Sequence, residues 1–303
     1  MSVEERCAKM PTVLTLGTAT PGGGFPLYGD TVAAVINETD PTLRVETRNT
    51  KGSTENVPLL EAGELDLALV QGEVAYEALA GIGRPVADLR ILSAMYPTAG
   101  MFVVRADSPW RTITDLRGQP VAFGARGSGL VILARFVLEG LDLSQDRDFQ
   151  AVYLDRAGDG PAMVMDGRVE ALWGGGSGWP GFTAVAQGPA GARFIVPDAS
   201  EIERILARHP FLKRLIMPAG SYPGLDEPLA SVGSWSFILT RPTLADDVAY
   251  RLTRTLHLAE ATLAGRLAQA QDTTVVNTCA AAPRTDLIHP GSRHYLREIG
   301  LLV

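Results

Sequence analysis

Cysteine is nearly absent: Cys7 and Cys279, near opposite ends, are the two in 303 residues. That separation leaves no zinc motif and no CxxC redox pair, so they read as unrelated thiols. A disulfide joining the two ends would need an oxidising compartment. Histidine is scarce as well. His257 reads as packing or surface in a helix, His289 and His294 lie in "LIHPGSRHYLREIG" without a metal-ligand pattern, and no metal site and no catalytic role is expected of His209, His257, His289 or His294. His209, before Pro210 at an expected helix end, would complement the helix dipole. No run reaches the ~18–20 uninterrupted apolar residues of a membrane-spanning helix. Positive charge is in deficit, with 27 Lys and Arg against 34 Asp and Glu. The net charge of -7 argues against nucleic acid as a partner, because phosphate binding wants a basic face.

Nucleotide and nucleophile motifs are missing too. "GTATPGGG" has glycines spaced like a P-loop, but Gly23 stands in place of the phosphate-binding lysine and Gly24 in place of Ser or Thr. Residues 17–24 do not supply G-x-G-x-x-G either. Ser128 in "RGSGL" and Ser177 in "GGSGW" do not fit G-x-S-x-G, and no base is paired with them. No catalytic residues and no cofactor are expected, and the chain is not read as an enzyme. The opening "MSVEERCAKM" is acidic where a secretory signal is positive, and no apolar core follows it.

What is present is alternation. "TVLTL", "LRVET", "LDLALV", "RILSAMY", "MFVVR", "PVAF", "AVYL" and "EALWG" read as strands. Helical spacing falls between them, at about 26–38, 53–63, 73–80, 128–140 and 158–167. Strands alternating with helices imply an α/β fold with a parallel or mixed sheet covered on both faces. With 46% hydrophobic residues the chain has material for a real core, and its length suits two domains.

Two segments read as bridges. In residues 92–109 two strand-like runs flank Pro97 and Gly100, and residues 229–242 form one long β run. The expected division is a discontinuous first lobe, 1–103 with 231–303, and a second lobe, 104–230. Two connecting strands make a hinge, with a ligand cleft between the lobes. From Thr243 to about Gln271, the spacing of Leu244, Val248, Leu252, Leu256, Ala259, Leu263 and Leu267 predicts one long helix capped by Thr243.

A strand, a Gly-rich turn and a helix start recur three times: at Gly22-Gly23-Gly24, at Lys51-Gly52-Ser53 and at Arg126-Gly127-Ser128-Gly129. In such turns, unpaired N–H groups and the helix dipole point at one spot, which suits an anion. Lys51 and Arg126 would add charge, and Ser53 and Ser128 hydroxyl donors. Gln71 ends a strand, where open α/β sheets face their ligands. Ser177 and Trp179, with Trp173 and Tyr222, bring flexible and aromatic elements toward the cleft.

These residues resemble a known family. "GTATPGGGFPLYG", "KGSTENVPLLEAGELDLALVQGEVAYEALAG", "LRGQPVAFGARGSG", "MPAGSYPGLDEPLASVG" and "HPGSRHYLREIG", in this order, are similar to the TAXI solute receptors of TRAP transporters. The resemblance implies a two-lobe fold like that of type II periplasmic binding proteins. It also implies capture of a small organic acid or amino acid for a membrane partner. Ligand-facing positions are then expected at Thr20, Gly23, Gly24, Phe25, Ser53, Gln71 and Gly127–Gly129, beside the turn residues above. The chain departs from the family at Thr98–Met101, where many members have Glu and His, and at Leu130, where threonine is usual. The function expected is that of an extracytoplasmic receptor, working as a monomer on a small anionic solute and on TRAP membrane subunits. The compartment expected is the periplasm after removal of a signal peptide, or the cytoplasm if the chain begins here. A ligand-sensing domain of a regulatory system with the same fold is the alternative, ahead of an enzyme on this fold.

Overall fold

The run Leu67–Val70 is buried at every position, as a strand covered on both faces must be. It sits inside a sheet assembled from distant parts of the chain. A computed structural model describes residues 10–303, so Cys7 and the opening segment lie outside the described residues. First come β1 (Thr12–Gly17), α1 (Gly24–Thr39), β2 (Leu43–Arg48), α2 (Ser53–Glu61), β3 (Leu67–Val70) and α3 (Gly72–Ala80). The long β4 (Arg90–Arg105) leads to β5 (Pro120–Ala125), α4 (Gly129–Gly140), α5 (Gln145–Asp148) and β6 (Gln150–Leu154). Then follow α6 (Gly160–Met165), β7 (Ala171–Gly175), α7 (Pro180–Ala186), β8 (Ala192–Ile195), α8 (Ala199–Arg208) and β9 (Lys213–Met217). After β10 (Leu229–Thr240) come α9 (Asp246–Leu258), α10 (Glu260–Arg266), α11 (Val275–Ala281) and α12 (Pro290–Glu298).

The strands run in the order β2-β1-β3-β10-β4-β7-β5-β6, with β8 on β4 and β9 on β10. At one end, β1 pairs in parallel with β2 and β3; at the other, β5 pairs in parallel with β6 and β7. The two parallel groups are the cores of two lobes. One packs Leu14, Leu16, Tyr28 and Val32 with Leu252 and Leu256; the other packs Phe102, Phe123, Val137 and Trp173.

Among the described residues, only the strands β4 and β10 serve both lobes. β4 pairs with β10 from Arg90 to Ala99, then with β7 from Gly100 to Val103. β10 pairs with β9 from Leu229 to Gly233 and with β3 from Phe237 to Thr240. The expected bridge around Pro97 is thus one unbroken strand of 16 residues. Pro97 lies opposite Trp235, beside a register shift, where a missing N–H disturbs the ladder least. The crossing is tight: a Cβ on Gly233 would stand 1.8 Å from the Thr98 carbonyl oxygen. Ser231 secures it by donating to the Gly100 carbonyl at 2.5 Å.

The long C-terminal helix is a correction. It starts at Asp246 with no side-chain cap and breaks at Ala259 into α9 and α10, so Thr243 does not cap it. The bend keeps Leu252, Leu256, Ala259 and Leu263 in one core with α1, which a straight rod would leave. His209 stands at the C-terminal end of α8, where the sequence placed it, and burial lowers its pKa.

Glu73 is fully buried at the start of α3, against the crossing strand. Ser234 Oγ donates to its Oε1 at 2.7 Å, while Oε2 has no partner. Burial pushes this carboxyl up to about 7, with a small addition from Glu77. The folded protein therefore holds the proton more tightly than the unfolded chain. The resulting penalty is absent at acid pH and grows as pH rises from about 4.5 to about 7, toward on the order of 3 kcal/mol. Glu73→Gln keeps a partner for Ser234 and removes the charge. It is expected to raise Tm at pH 8 and to change it little at pH 4.5; an equal shift at both pH values in thermal melts would refute the charge as the cause.

Candidate functional site

Four helices of the two lobes begin at one cavity of about 50 Å³ between them. α1 starts after Gly23, α2 after Gly52 and α3 after Gln71, none of them with a side-chain cap. Each first turn thus has N–H groups that no side chain satisfies. α4 starts after Ser128, whose Oγ accepts from the Leu130 N–H at 3.2 Å. The β-strands that feed these turns end at the cavity, so sheet topology brings the four starts together.

Thr20, Gly23, Gly24, Phe25, Lys51, Gly52, Ser53, Gln71, Ser128, Gly129, Ser177 and Trp179 all line this cavity. Arg126 and Gly127 do not. Arg126 is exposed, with its guanidinium 5.2 Å from the centre of the Tyr153 ring. It stands just past the end of β5 and lies over the Tyr153 ring of the neighbouring β6 rather than toward the cavity. Lys51 reaches the wall only at its base: its side chain is 79% exposed, with Nζ 4.0 Å from Glu55. The two charges expected to meet an anion therefore point into solvent.

Gly127 has a different place. Its carbonyl accepts from the Thr54 N–H at 3.2 Å and from Thr54 Oγ1 at 3.0 Å, joining the two lobes across the cavity mouth. A Cβ on Gly127 would lie 2.5 Å from the Lys51 carbonyl oxygen. A second such meeting occurs where a Cβ on Gly22 would lie 2.6 Å from the Gly158 Cα. Thr20 Oγ1 accepts from the Ala157 N–H at 3.2 Å beside it. The glycines thus bring backbone against backbone, and the lobes are closed on each other.

The polar groups facing the cavity are neutral. Ser53 Oγ accepts from the Gln71 N–H at 3.0 Å, leaving its proton to donate. Gln71 is 3% exposed and its Nε2 has no acceptor. Ser177 is engaged with Met217 Sδ at 3.3 Å. Trp179 is buried against Phe182, its N–H donating to the Tyr222 hydroxyl at 2.8 Å, and with Phe25 and Leu130 it supplies apolar wall.

Among the wall residues that the sequence reading did not place at the site are Tyr96, Thr98 and Gln269. Tyr96 and Thr98 flank Pro97 on β4, and the aromatic residue beside a hinge proline was the available signal. Gln269 sits in the short turn after α10, which the uninterrupted helix pattern concealed. Its side chain lies beside the Tyr96 hydroxyl, and its Oε1 is buried with no partner. Burial pushes the Tyr96 pKa well up, so the phenol stays protonated. None of the wall residues is Asp, Glu, His or Cys, and among the described residues no cluster of such groups is arranged to hold a metal. Nor is any helix of the described residues long and apolar enough to cross a membrane.

Solved structures share this architecture. A Bordetella bronchiseptica RB50 protein aligns at a TM-score of 0.60 and 11% identity, over 95% of this chain and 98% of its own. The alkanesulfonate-binding protein SsuA from Xanthomonas axonopodis pv. citri aligns at 0.52 and 19% identity, over 96% of this chain and 85% of its own. The periplasmic aliphatic sulphonate binding protein SsuA from Escherichia coli aligns at 0.50 and 20% identity, over 95% of this chain and 79% of its own. These likenesses are of fold, the two-lobe architecture of periplasmic binding proteins. At the level of sequence, residues 16–300 match the NMT1-like family over nearly the whole chain, and the protein belongs to that family.

Proposed function

We propose that the protein is an extracytoplasmic solute receptor, which closes its lobes on a small carboxylate-bearing metabolite and delivers it to a TRAP-type transporter. The observation that carries this reading is the closed cavity itself. Helix starts from both lobes face it, and glycine contacts seal it on two sides. N–H groups at helix starts favour negative charge, and a wall with no carboxylate, histidine or thiol to activate its serines favours holding over conversion. The SsuA proteins, described as sulfonate-binding, lend support to an anionic cargo on this fold. The ordered motifs from "GTATPGGG" to "HPGSRHYLREIG" favour the TAXI type and hence a TRAP partner.

On this reading the lobes divide as 1–103 with 231–303, and 104–230, and the hinge lies where β4 and β10 exchange partners. Thr20, Gly23, Gly24, Phe25, Gly52, Ser53, Gln71, Ser128, Gly129 and Trp179 contact the solute. Gly127 acts in closure, and the receptor works as a monomer in the periplasm. Closure would build a composite surface for the membrane subunits, linking occupancy to recognition.

A thermal-shift panel of carboxylates, sulfonates and amino acids selects the probe, since a compound at 1,000 times its Kd adds about 4.1 kcal/mol. With that probe, calorimetry of Ser128→Ala is expected to show binding weaker by at least ~10-fold, about 1.4 kcal/mol. Arg126→Ala should stay within ~2-fold of the parent, less than about 0.5 kcal/mol. A large loss in the arginine variant and none in the serine variant would take α4 out of the site.

Gly127→Ala tests closure. Its added methyl meets the Lys51 backbone only when the lobes touch, so the variant should fold normally and bind at least ~10-fold more weakly. Unchanged affinity would mean that the closed contact has no part in binding.

A further inference from the structure

The charge pattern of the wall narrows the solute beyond "anion". The wall's ionisable side chains are Lys51, turned to solvent, and Tyr96, held as a neutral phenol. A buried ammonium needs an anionic partner or several acceptors, and no carboxylate lines the cavity. A negative head, by contrast, is met by the first turns of α1, α2, α3 and α4, by the Gln71 Nε2 and by the hydroxyls of Ser53 and Ser128.

Gln269 adds a second requirement. It is 5% exposed, and one end of its amide lies beside the Tyr96 hydroxyl. The other end, Oε1, is buried without a donor. An acceptor left unpaired away from water is costly, so a solute that supplies O–H there gains over one that does not. Phe25, Leu130 and Trp179 leave an apolar body as the remaining complement.

We infer that the cavity selects a small hydroxy acid: a single carboxylate or sulfonate head facing the helix starts, a short apolar body, and a hydroxyl that donates to Gln269 Oε1. The corresponding amino acid, with an ammonium in place of the hydroxyl, is refused. This inference rests on the receptor reading of the same cavity and goes further by excluding amino acids as cargo.

Matched triplets test it by calorimetry on the full chain. Propionate, lactate and alanine differ only in carrying hydrogen, hydroxyl or ammonium on one carbon. Ethanesulfonate, isethionate and taurine repeat the series with a sulfonate head, so the two arms tell which head group is preferred. The hydroxy member of at least one arm is expected to bind ~10-fold or more tightly than both of its partners, as sites built around a substrate hydroxyl discriminate. In Gln269→Leu the preference for hydroxyl over hydrogen should collapse to within ~2-fold, while the unsubstituted acid still binds.

An amino member that binds as well as its hydroxy partner would overturn the charge argument. A hydroxyl preference that survives in Gln269→Leu would overturn the role of Gln269. In both cases the receptor reading stands. No binding by any of the six compounds would overturn the hydroxy-acid inference alone, whereas binding that survives in Leu130→Trp, which fills the cavity, removes the cavity as the site and with it both proposals.

Discussion

The approach of backbone to backbone at a few glycines is the constraint on which the structure depends. At Gly233 the two strands shared by the lobes come so close that a single methyl group would strike the Thr98 carbonyl. At Gly127 the lobes themselves meet, again with no room for a side chain. One contact fixes the hinge and the other limits how far it closes. Between them the cavity wall is built from two lobes whose own cores are independent. On the proposed reading, flexing about β4 and β10 would change the cavity without disturbing either core.

Much of this architecture was legible because it follows from periodicity. The first three strand–helix pairs are placed within a few residues, since each apolar strand is punctuated by glycine before a helical pattern. β8 and β9 were not marked. They are short, with polar or charged residues such as Arg193, Lys213 and Arg214, and they pair only at the ends of β4 and β10. α8 had a readable start, because Asp198 and Glu201 form a capping box that was passed over. The break at Ala259 left no mark, because alanine is a good helix former and tertiary packing alone bends the chain there.

The site was legible to the extent that it is made of backbone. Glycine turns before helices mark where N–H groups gather, and the structure brings all three turns to one place. Side-chain direction was not legible. Lys51 and Arg126 stand in those turns, yet each lies on the outer side, where long charged side chains stay hydrated at little cost. Tyr96, Thr98 and Gln269 come to the wall through the shared strand and the bent C-terminal segment. Their roles depend on tertiary geometry that no local window contains.

The absence of charge from the wall has a consequence for how a receptor would cycle. A buried arginine left behind by a departing anion would be an uncompensated charge, and its desolvation would cost several kcal/mol whenever the lobes closed empty. Helix starts carry only partial charge, and opening the lobes returns their N–H groups to water. A wall of neutral dipoles thus keeps the solvated and occupied states close in free energy. That balance suits capture followed by release better than permanent retention. Glu73 lies just behind this wall, next to Gln71, and its preference for the protonated form serves the same end, since a carboxylate there would oppose the anion in front of it. On the proposed reading, the neutrality of the wall and the raised carboxyl behind it express one requirement: a cavity ready for negative charge without carrying positive charge of its own.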